Sequence, residues 1–240
     1  MEIHKPKPWH GWREFLKEYA IIVLGVLTAL VAEQIVEALH QRETVAWGEG
    51  ELRNNFVRFI QYSAELKQEN ACMTARAAEL RTILDQANRS HELPAIAAIP
   101  EPFPRPWEID TWEALVSGGA APYLSRERAV LYSRIARSGY DIYETQFQRT
   151  ADWGALASLA GSARPFSEAE AAQDRAYLTR GVEWSHRMQY IAERTLERIS
   201  ETGLIDAATT KAALARGARP DHVVEMCQPI SAARPLSGSR

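Results

Sequence analysis

Two Glu-x-x-His pairs are the residues of this 240-residue sequence whose spacing best fits metal chemistry: Glu37 with His40, and Glu183 with His186. A spacing of three places both side chains on one face of a helix. Ferritin-like di-iron bundles build their site from two such motifs plus one Glu from each of two other helices. Chance competes with this interpretation, because six His residues already yield about half such a match at random. We therefore expect no cofactor and no metal, and a di-metal carboxylate enzyme is the least favoured alternative.

Glu33, Glu37 and His40 share a helix face at the end of an apolar segment. Acidic groups at a membrane edge indicate a function such as a proton relay or a contact with a partner. The alternative is that they mark the end of the span and are solvated. The sequence contains no nucleophile motif, no phosphate-binding glycine loop and no H-E-x-x-H. These observations predict a protein that is not an enzyme.

Cys72 and Cys227 are the two cysteines of the chain. In an oxidising compartment such a pair indicates a disulfide, here one that ties a long first helix to the C-terminal tail. Two unrelated buried thiols are the alternative. Neither cysteine belongs to a C-x-x-C motif, so zinc and thioredoxin-like chemistry are unsupported.

Glu18–Leu39 is predicted to be a transmembrane helix that continues into the rest of the chain. Its uncharged part, Tyr19–Ala32, spans about 21 Å as a helix, and extension to Leu39 is needed to cross a ~30 Å hydrocarbon core. A buried core helix and a signal peptide are the alternatives, and the small-x-small cleavage pattern of the latter is poor here. Aromatic residues that suit a membrane interface lie at its N-terminal end: Trp9, Trp12, Phe15 and Tyr19.

The flanking charges predict the orientation of this span. Four basic residues precede it and two follow within a similar distance: Lys5, Lys7, Arg13 and Lys17, then Arg42 and Arg53. The positive-inside rule makes 1–17 a cytoplasmic tail at the bacterial inner membrane and 40–228 a periplasmic domain. Residues 229–240, which include Pro229, Pro235 and Gly238, are predicted to be a flexible tail. Gly25 and Ala29 form a small-x-x-x-small pair that suits packing against another membrane helix.

The run Glu18–Leu30 reads Glu-Tyr-Ala-Ile-Ile-Val-Leu-Gly-Val-Leu-Thr-Ala-Leu. It resembles the opening of a group of uncharacterised bacterial single-pass membrane proteins, which run roughly Glu-x-x-Ile-Ile-Val-Leu-Gly-Val-Leu-Ile-Ala-Leu. Thr28 departs from the usual Ile. Thr111-Trp112-x-x-Leu115-x-Ser117-Gly118 is similar to a second stretch of that group, with one residue fewer between Leu and Ser. The resemblance implies a membrane-anchored domain of unknown function and supplies no catalytic residues.

After the span, apolar and small residues recur at alternating spacings of four and three, which predicts one long helix packed along a narrow seam. The seam residues are Leu52, Phe56, Phe59, Ser63, Leu66, Asn70, Met73, Ala77, Leu80, Leu84 and Ala87. Its polar members, Ser63 and Asn70, lie one heptad apart, as residues that set register or oligomer number do in coiled coils. The seam fits either an intramolecular bundle or a self-associating coiled coil.

The remaining chain predicts further helices and no strand. A proline-rich strap over 94–106 is expected to run extended along the first helix. Asp110, Ser125 and Ser167 are predicted N-caps, with Glu170 completing a capping box at Ser167. A small helix is predicted from Asp206 to Arg216. The core of the helix that follows Ser125 is predicted to contain Leu131, Ile135, Ile142 and Phe147. The fold class is all-α, a helical bundle on a membrane anchor.

Composition and charge narrow the function. Hydrophobic residues make up 46% and charged residues 25% of the chain, which is ordinary for a folded protein. A net charge of −3 gives no electrostatic case for nucleic acid. We therefore expect a non-catalytic accessory or scaffolding subunit of a membrane assembly, either a homo-oligomer or part of a larger complex. A periplasmic ligand-sensing bundle that acts through a partner is the alternative.

Overall fold

A computed structural model describes residues 11–107, 109–218, 223 and 226–230, and within them the chain is almost entirely helical. This confirms the all-α class. The long helices are α1 (Trp12–Ser90), α3 (Arg126–Leu156) and α4 (Glu168–Glu201), and the short ones are α2 (Asp110–Ser117) and α5 (Ala207–Gly217). Single 3₁₀ turns at Ala121–Tyr123 and Ala157–Leu159 flank α3.

The expectation of no strand was wrong at one place. Strands β1 (Glu92–Leu93) and β2 (Arg164–Pro165) pair antiparallel, with Glu92 opposite Pro165. The pairing joins the chain after α1 to the chain before α4. Each strand has two residues, too few for a sequence pattern to indicate.

Helix α1 is unbroken over 79 residues, which is about 118 Å of helix. Its N-terminal part is long and apolar enough to cross a membrane, and the apolar stretch makes no buried contact with the rest of the chain. The helix begins at Trp12, inside the predicted tail 1–17. Trp12, Phe15 and Tyr19 stack along it, with ring centroids 5.8 and 6.2 Å apart, whereas Trp9 lies outside the described residues.

The C-terminal half of α1 forms the spine of the bundle. All eleven residues of the predicted seam, Leu52 to Ala87, are buried, which confirms the heptad pattern. The seam packs on α4 and α5 of the same chain in two apolar clusters, and Phe56 contacts Tyr132 of α3. The seam is therefore covered within the chain, as the intramolecular alternative expects.

Helix α3 runs in the same direction as α1, and α4 runs in the opposite direction. Arg128, near the start of α3, pairs with Glu49, whereas Arg149 near its end pairs with Glu69. Arg175, near the start of α4, pairs with Asp85, and the carbonyl of Leu204 beyond its end accepts a hydrogen bond from Arg53.

The proline-rich strap is extended and returns along α1, as predicted. It begins near the end of α1 and brings Trp107 against Phe59 and Tyr62, with ring centroids 5.2 and 5.7 Å away. Fourteen residues of extended chain from Leu93 span about 43 Å, which matches the roughly 42 Å of helix between Ala87 and Phe59. The strap therefore covers almost the whole length of the spine.

Most of the predicted helix starts are confirmed. The Ser125 hydroxyl accepts from the Arg128 amide, Ser167 and Glu170 form the full capping box, and Asp206 accepts from the Thr209 amide. Asp110 was predicted as a cap but is the first residue of α2, whose N-cap is Ile109. Phe147 was predicted to lie in the core but is 52% exposed.

A disulfide joins Cys72 of α1 to Cys227, with the two Cα atoms 4.8 Å apart. Around it, Val223, Met226 and Ile230 are buried, and the Ile230 amide donates to Glu79 at 2.9 Å. The predicted flexible tail 229–240 therefore begins too early, because Ile230 is held in the apolar cluster. Residues 231–240 lie outside the described part of the chain.

Candidate functional site

The structure does not bring the two Glu-x-x-His pairs together. Glu183 and His186 flank Ser185, whose carbonyl accepts a hydrogen bond from Asn70. His40 precedes Asn70 by thirty residues of continuous helix, which is about 45 Å. A shared di-metal site is therefore wrong. The described residues also contain no group of three or more His, Cys, Asp or Glu side chains able to hold a metal.

The membrane-edge face of Glu33, Glu37 and His40 is exposed along its whole length. Glu37 accepts a hydrogen bond of 2.6 Å from Gln41, one turn further along the helix. Gly25 and Ala29 are exposed as well, and the space around Gly25 is open. These five residues thus lie on an uncovered stretch of α1, accessible to lipid, solvent or another helix.

A buried ion pair lies between the two apolar clusters of the bundle. Arg149 Nη2 of α3 is 2.7 Å from Glu69 Oε1 of α1, and both side chains are almost completely buried. Arg149 Nη1 also contacts Asn70 Oδ1 at 3.4 Å. Asn70 in turn donates to Ser185 O and to Gln189 Oε1 of α4. The polar interruption of the seam at Asn70 therefore links α1, α3 and α4.

The strap joins this network through a second ion pair. Arg105 Nη2 is 2.7 Å from Glu65 Oε2, one turn before Glu69 on α1. Gln146 of α3 accepts from the Arg105 amide and from the Trp107 indole, and donates to the Arg105 carbonyl. Arg105 also lies over the rings of Tyr62 and Phe103. One polar layer thus ties the strap to α1 and α3.

The electrostatics of this layer are those of a structural core. Burial raises the pKa of the Glu69 carboxyl, and the charge of Arg149 opposes that rise. Burial likewise lowers the pKa of Arg149, against the charge of Glu69. Beside the pair lies a cavity of about 10 Å³, the size of one water molecule. The layer thus leaves space for about one water molecule while it links α1, α3 and the strap.

The larger hollows are open grooves on the surface. A groove of about 660 Å³ runs between α2 and α3, lined by Trp112, Val116, Arg137 and Tyr140 among others. It continues along α3 into an aromatic stripe, in which Tyr143 contacts the exposed Phe147 at a centroid distance of 4.6 Å. A second, more apolar groove of about 550 Å³ lies between α4, α5 and α1. Grooves of this kind suit a partner helix or a ligand.

The network residues Glu65, Glu69 and Arg149 were missed by sequence reasoning. A signal for Arg149 existed, because it continues the seven-residue series of Ile135 and Ile142 toward Leu156, and all four are buried. A charged residue at an apolar heptad position indicates a buried partner. The identity of that partner could not be predicted, since it depends on how α1 and α3 are aligned along their axes.

Comparisons with known proteins add no relative to this description. No family model, no curated protein and no solved structure matches the chain. The resemblance to single-pass membrane proteins therefore stays a prediction, and a functional conclusion rests on the geometry above.

Proposed function

We propose that this protein is a membrane-anchored, non-catalytic accessory or scaffolding subunit of an inner-membrane or periplasmic assembly. The observation that carries the proposal is the continuity of α1, which joins an uncovered apolar segment to the spine of the bundle without a hinge. Such a helix holds a folded domain at a fixed height and rotation relative to the membrane. Positioning of this kind is what a scaffolding subunit supplies.

The way the bundle uses its surfaces supports an interaction role. The seam of α1 is covered within the chain, so a partner must be met elsewhere. The uncovered face of Gly25 and Ala29 suits a second membrane helix, because small residues let two backbones approach closely. The stripe of Tyr140, Tyr143 and Phe147 on α3 offers aromatic side chains of the kind enriched at protein interfaces.

The proposed topology places the N-terminus in the cytoplasm and the bundle in the periplasm. The excess of basic residues before the span supports it, and so does the disulfide of Cys72 and Cys227, which suits an oxidising compartment. Alkaline phosphatase fused after residue 230 is expected to be active. A fusion that is expressed normally but inactive would contradict this topology and indicate that the bundle lies in the cytoplasm.

A ligand-sensing bundle that acts through a partner is the second candidate. The groove between α2 and α3 favours it, since about 660 Å³ lies in the range of small-molecule sites. Its lining combines the aromatic rings of Trp112 and Tyr140 with the charges of Glu113 and Arg137. If Tyr140→Ala leaves the assembly intact but abolishes a ligand-dependent response, this candidate replaces the scaffolding role.

The experiment that tests the scaffolding proposal is purification of the tagged protein from membranes in mild detergent, followed by sizing and mass spectrometry. We expect a homo-oligomer or a stoichiometric set of membrane proteins. Ala29→Leu should weaken the association if the small-residue face is the contact. Ala20→Leu is the matched control, because Ala20 is nine residues away and so lies on the opposite face of the helix. A monomer with no companion would overturn the proposal.

A further inference from the structure

Two uncharged segments lie at the end of the bundle nearest the apolar segment. They are Val45–Gly48 of α1 and Ala114–Ser125, which spans the end of α2 and the turn before α3; together we call them the end surface. Exposed charged residues adjoin the second segment, Glu113 before it and Arg126 and Glu127 after it. No residue of these two segments is charged, although charged residues make up 25% of the chain. Ala114–Ser125 also contains Leu115, Ser117 and Gly118, which belong to the second stretch that resembles the single-pass membrane proteins.

Contacts along α1 fix the height of the end surface. Leu115 packs directly on Gly48, where an added methyl group would overlap its side chain. The Tyr132 hydroxyl, in the second turn of α3, donates to Glu49 at 2.9 Å. The turn that precedes α3 therefore lies near residues 45–48 of α1. Measured along the helix from Leu39, this is about 9 to 14 Å.

The opposite side of the bundle lies farther from the apolar segment of α1. There the carbonyl of Leu204, between α4 and α5, accepts from Arg53, and Asp206 pairs with the same side chain at 3.6 Å. Arg53 is about 21 Å beyond Leu39 along α1. The end surface is thus the part of the bundle closest to the apolar segment.

The large exposed side chains of the end surface are apolar or aromatic. Trp47 is 59% exposed, Tyr123 is 51% exposed and Val116 is 50% exposed. Trp and Tyr rings of this kind are enriched at the level of the lipid headgroups. The headgroup layer adds roughly 5 to 8 Å to each side of the hydrocarbon core. Side chains that extend from a height of about 9 Å come within reach of that layer.

We propose that the end surface contacts the lipid headgroups of the same bilayer that α1 crosses, with Tyr123 and Trp47 as its interfacial residues. The inference rests on the proposed membrane anchor. Its occupant is the lipid surface because closeness to the apolar segment and exposed aromatic side chains, Trp47 and Tyr123, coincide at this one end. The contact gives the bundle a second attachment beside the helix and resists tilting of the domain.

The test uses the full-length protein in nanodiscs and lipids that carry a nitroxide quencher on the headgroup. Both native cysteines are joined in the disulfide. A cysteine introduced by Tyr123→Cys is therefore the single free thiol for a fluorescent label. Tyr190→Cys is the matched control, since Tyr190 is 63% exposed and adjoins Gln189, which contacts Asn70 about 46 Å beyond Leu39.

We expect at least threefold stronger quenching of the label at 123 than of the label at 190. Equal, weak quenching at both positions overturns the inference, as does protection of position 123 by a co-purifying protein instead of lipid. A third label, introduced by Leu27→Cys and read with quenchers in the acyl chains, tests the anchor separately. Quenching at 27 without quenching at 123 refutes the end-surface contact alone, whereas no quenching at 27 refutes the anchor.

A length variant provides a second, independent readout. Seven helix-forming residues inserted between Glu43 and Thr44 raise the bundle by about 10 Å and rotate it little, because seven residues are close to two turns. The label at 123 is then expected to lose its quenching while the label at 27 keeps its own. Retained quenching at 123 in this variant contradicts the inference.

Discussion

Arg149 of α3 and Glu69 of α1 form a 2.7 Å ion pair in which the side chains are 1% and 5% exposed. Each charge is held in a place where burial alone would neutralise it, since burial raises the pKa of Glu69 and lowers the pKa of Arg149. The pair is stable because each residue compensates the other. Removal of one partner should therefore lower the free energy of unfolding more than replacement of both.

We predict that Glu69→Ala destabilises the protein by about 3–5 kcal/mol, because it leaves the Arg149 charge buried without its carboxylate. The double variant Glu69→Leu/Arg149→Met should be markedly more stable than Glu69→Ala, since apolar residues need no counter-charge. Urea unfolding followed by circular dichroism measures both. Glu197→Ala is the control: it breaks the exposed pair with Arg194 and should cost at most about 1 kcal/mol. Equal losses in Glu69→Ala and the double variant would contradict this account.

Gly139 of α3 is predicted to tolerate no side chain. A methyl group there would overlap the Trp107 carbonyl at the end of the strap, so Gly139→Ala must push the strap away from α3. We expect a loss of about 1–3 kcal/mol in the free energy of unfolding.

Gly154 of the same helix is the matched control for that substitution. Apart from its chain neighbours and the backbone of its own helix, no atom of the described residues lies within 4 Å of the position that its methyl group would take. Gly154→Ala should therefore raise the stability by about 0.5–1 kcal/mol through helix propensity. Thermal unfolding of the two single variants is the measurement, and similar shifts in both would refute the close approach of the strap.

The start of α4 is predicted to lose stability in acid. The Ser167 amide donates to the Glu170 carboxylate, and this bond, followed by bonds from Arg164 and the Ser167 hydroxyl, lowers the pKa of Glu170 from 4.5 to about 2. Because the pKa in the folded state is the lower one, the contribution is present above pH 4.5 and is lost as the pH falls toward 2. Glu170→Gln should flatten this part of the stability profile. Glu168→Gln, in the same helical turn, makes the same change of charge and should leave the profile as in the wild type.

The Cys72–Cys227 disulfide is predicted to be a major source of stability. It closes a loop of 155 residues, for which the chain-entropy model gives about 5 kcal/mol. Cys72→Ser/Cys227→Ser should unfold at a correspondingly lower urea concentration. Reductant should bring the wild type to the same midpoint and leave the double variant unchanged. A wild type indifferent to reductant under unfolding conditions would count against the bond.

The spine of the fold was predictable because the heptad spacing of apolar residues in α1 indicates which face of the helix is buried. All eleven seam residues are buried, and the caps at Ser125, Ser167 and Asp206 depend on neighbours within three positions. Phe147 was misplaced because the core face of α3 follows Ile135, Ile142 and Arg149, and a buried arginine breaks the hydrophobic pattern that identifies a face.

The candidate sites were less predictable because they depend on which residues of different helices lie side by side in the bundle. The two Glu-x-x-His motifs satisfy the local spacing, but nothing local reveals that His40 lies about 45 Å from the level of Ser185. The pairing of Glu69 with Arg149 and the contact of Leu115 with Gly48 likewise arise from tertiary packing. The pair β1–β2 is too short to leave any trace in the sequence.

The unbroken α1 also sets the reach of the protein. From Leu39 to its last residue, Ser90, the helix extends for about 76 Å, and the strap and α4 brace it along the part beyond Gly48. If the chain is anchored at Leu39, the pair of strands β1 and β2 therefore lies at the far end of the bundle, at a fixed distance from the bilayer. A partner that binds this end of the bundle would lie at that distance, because the length of α1 fixes how far the bundle extends from its apolar segment.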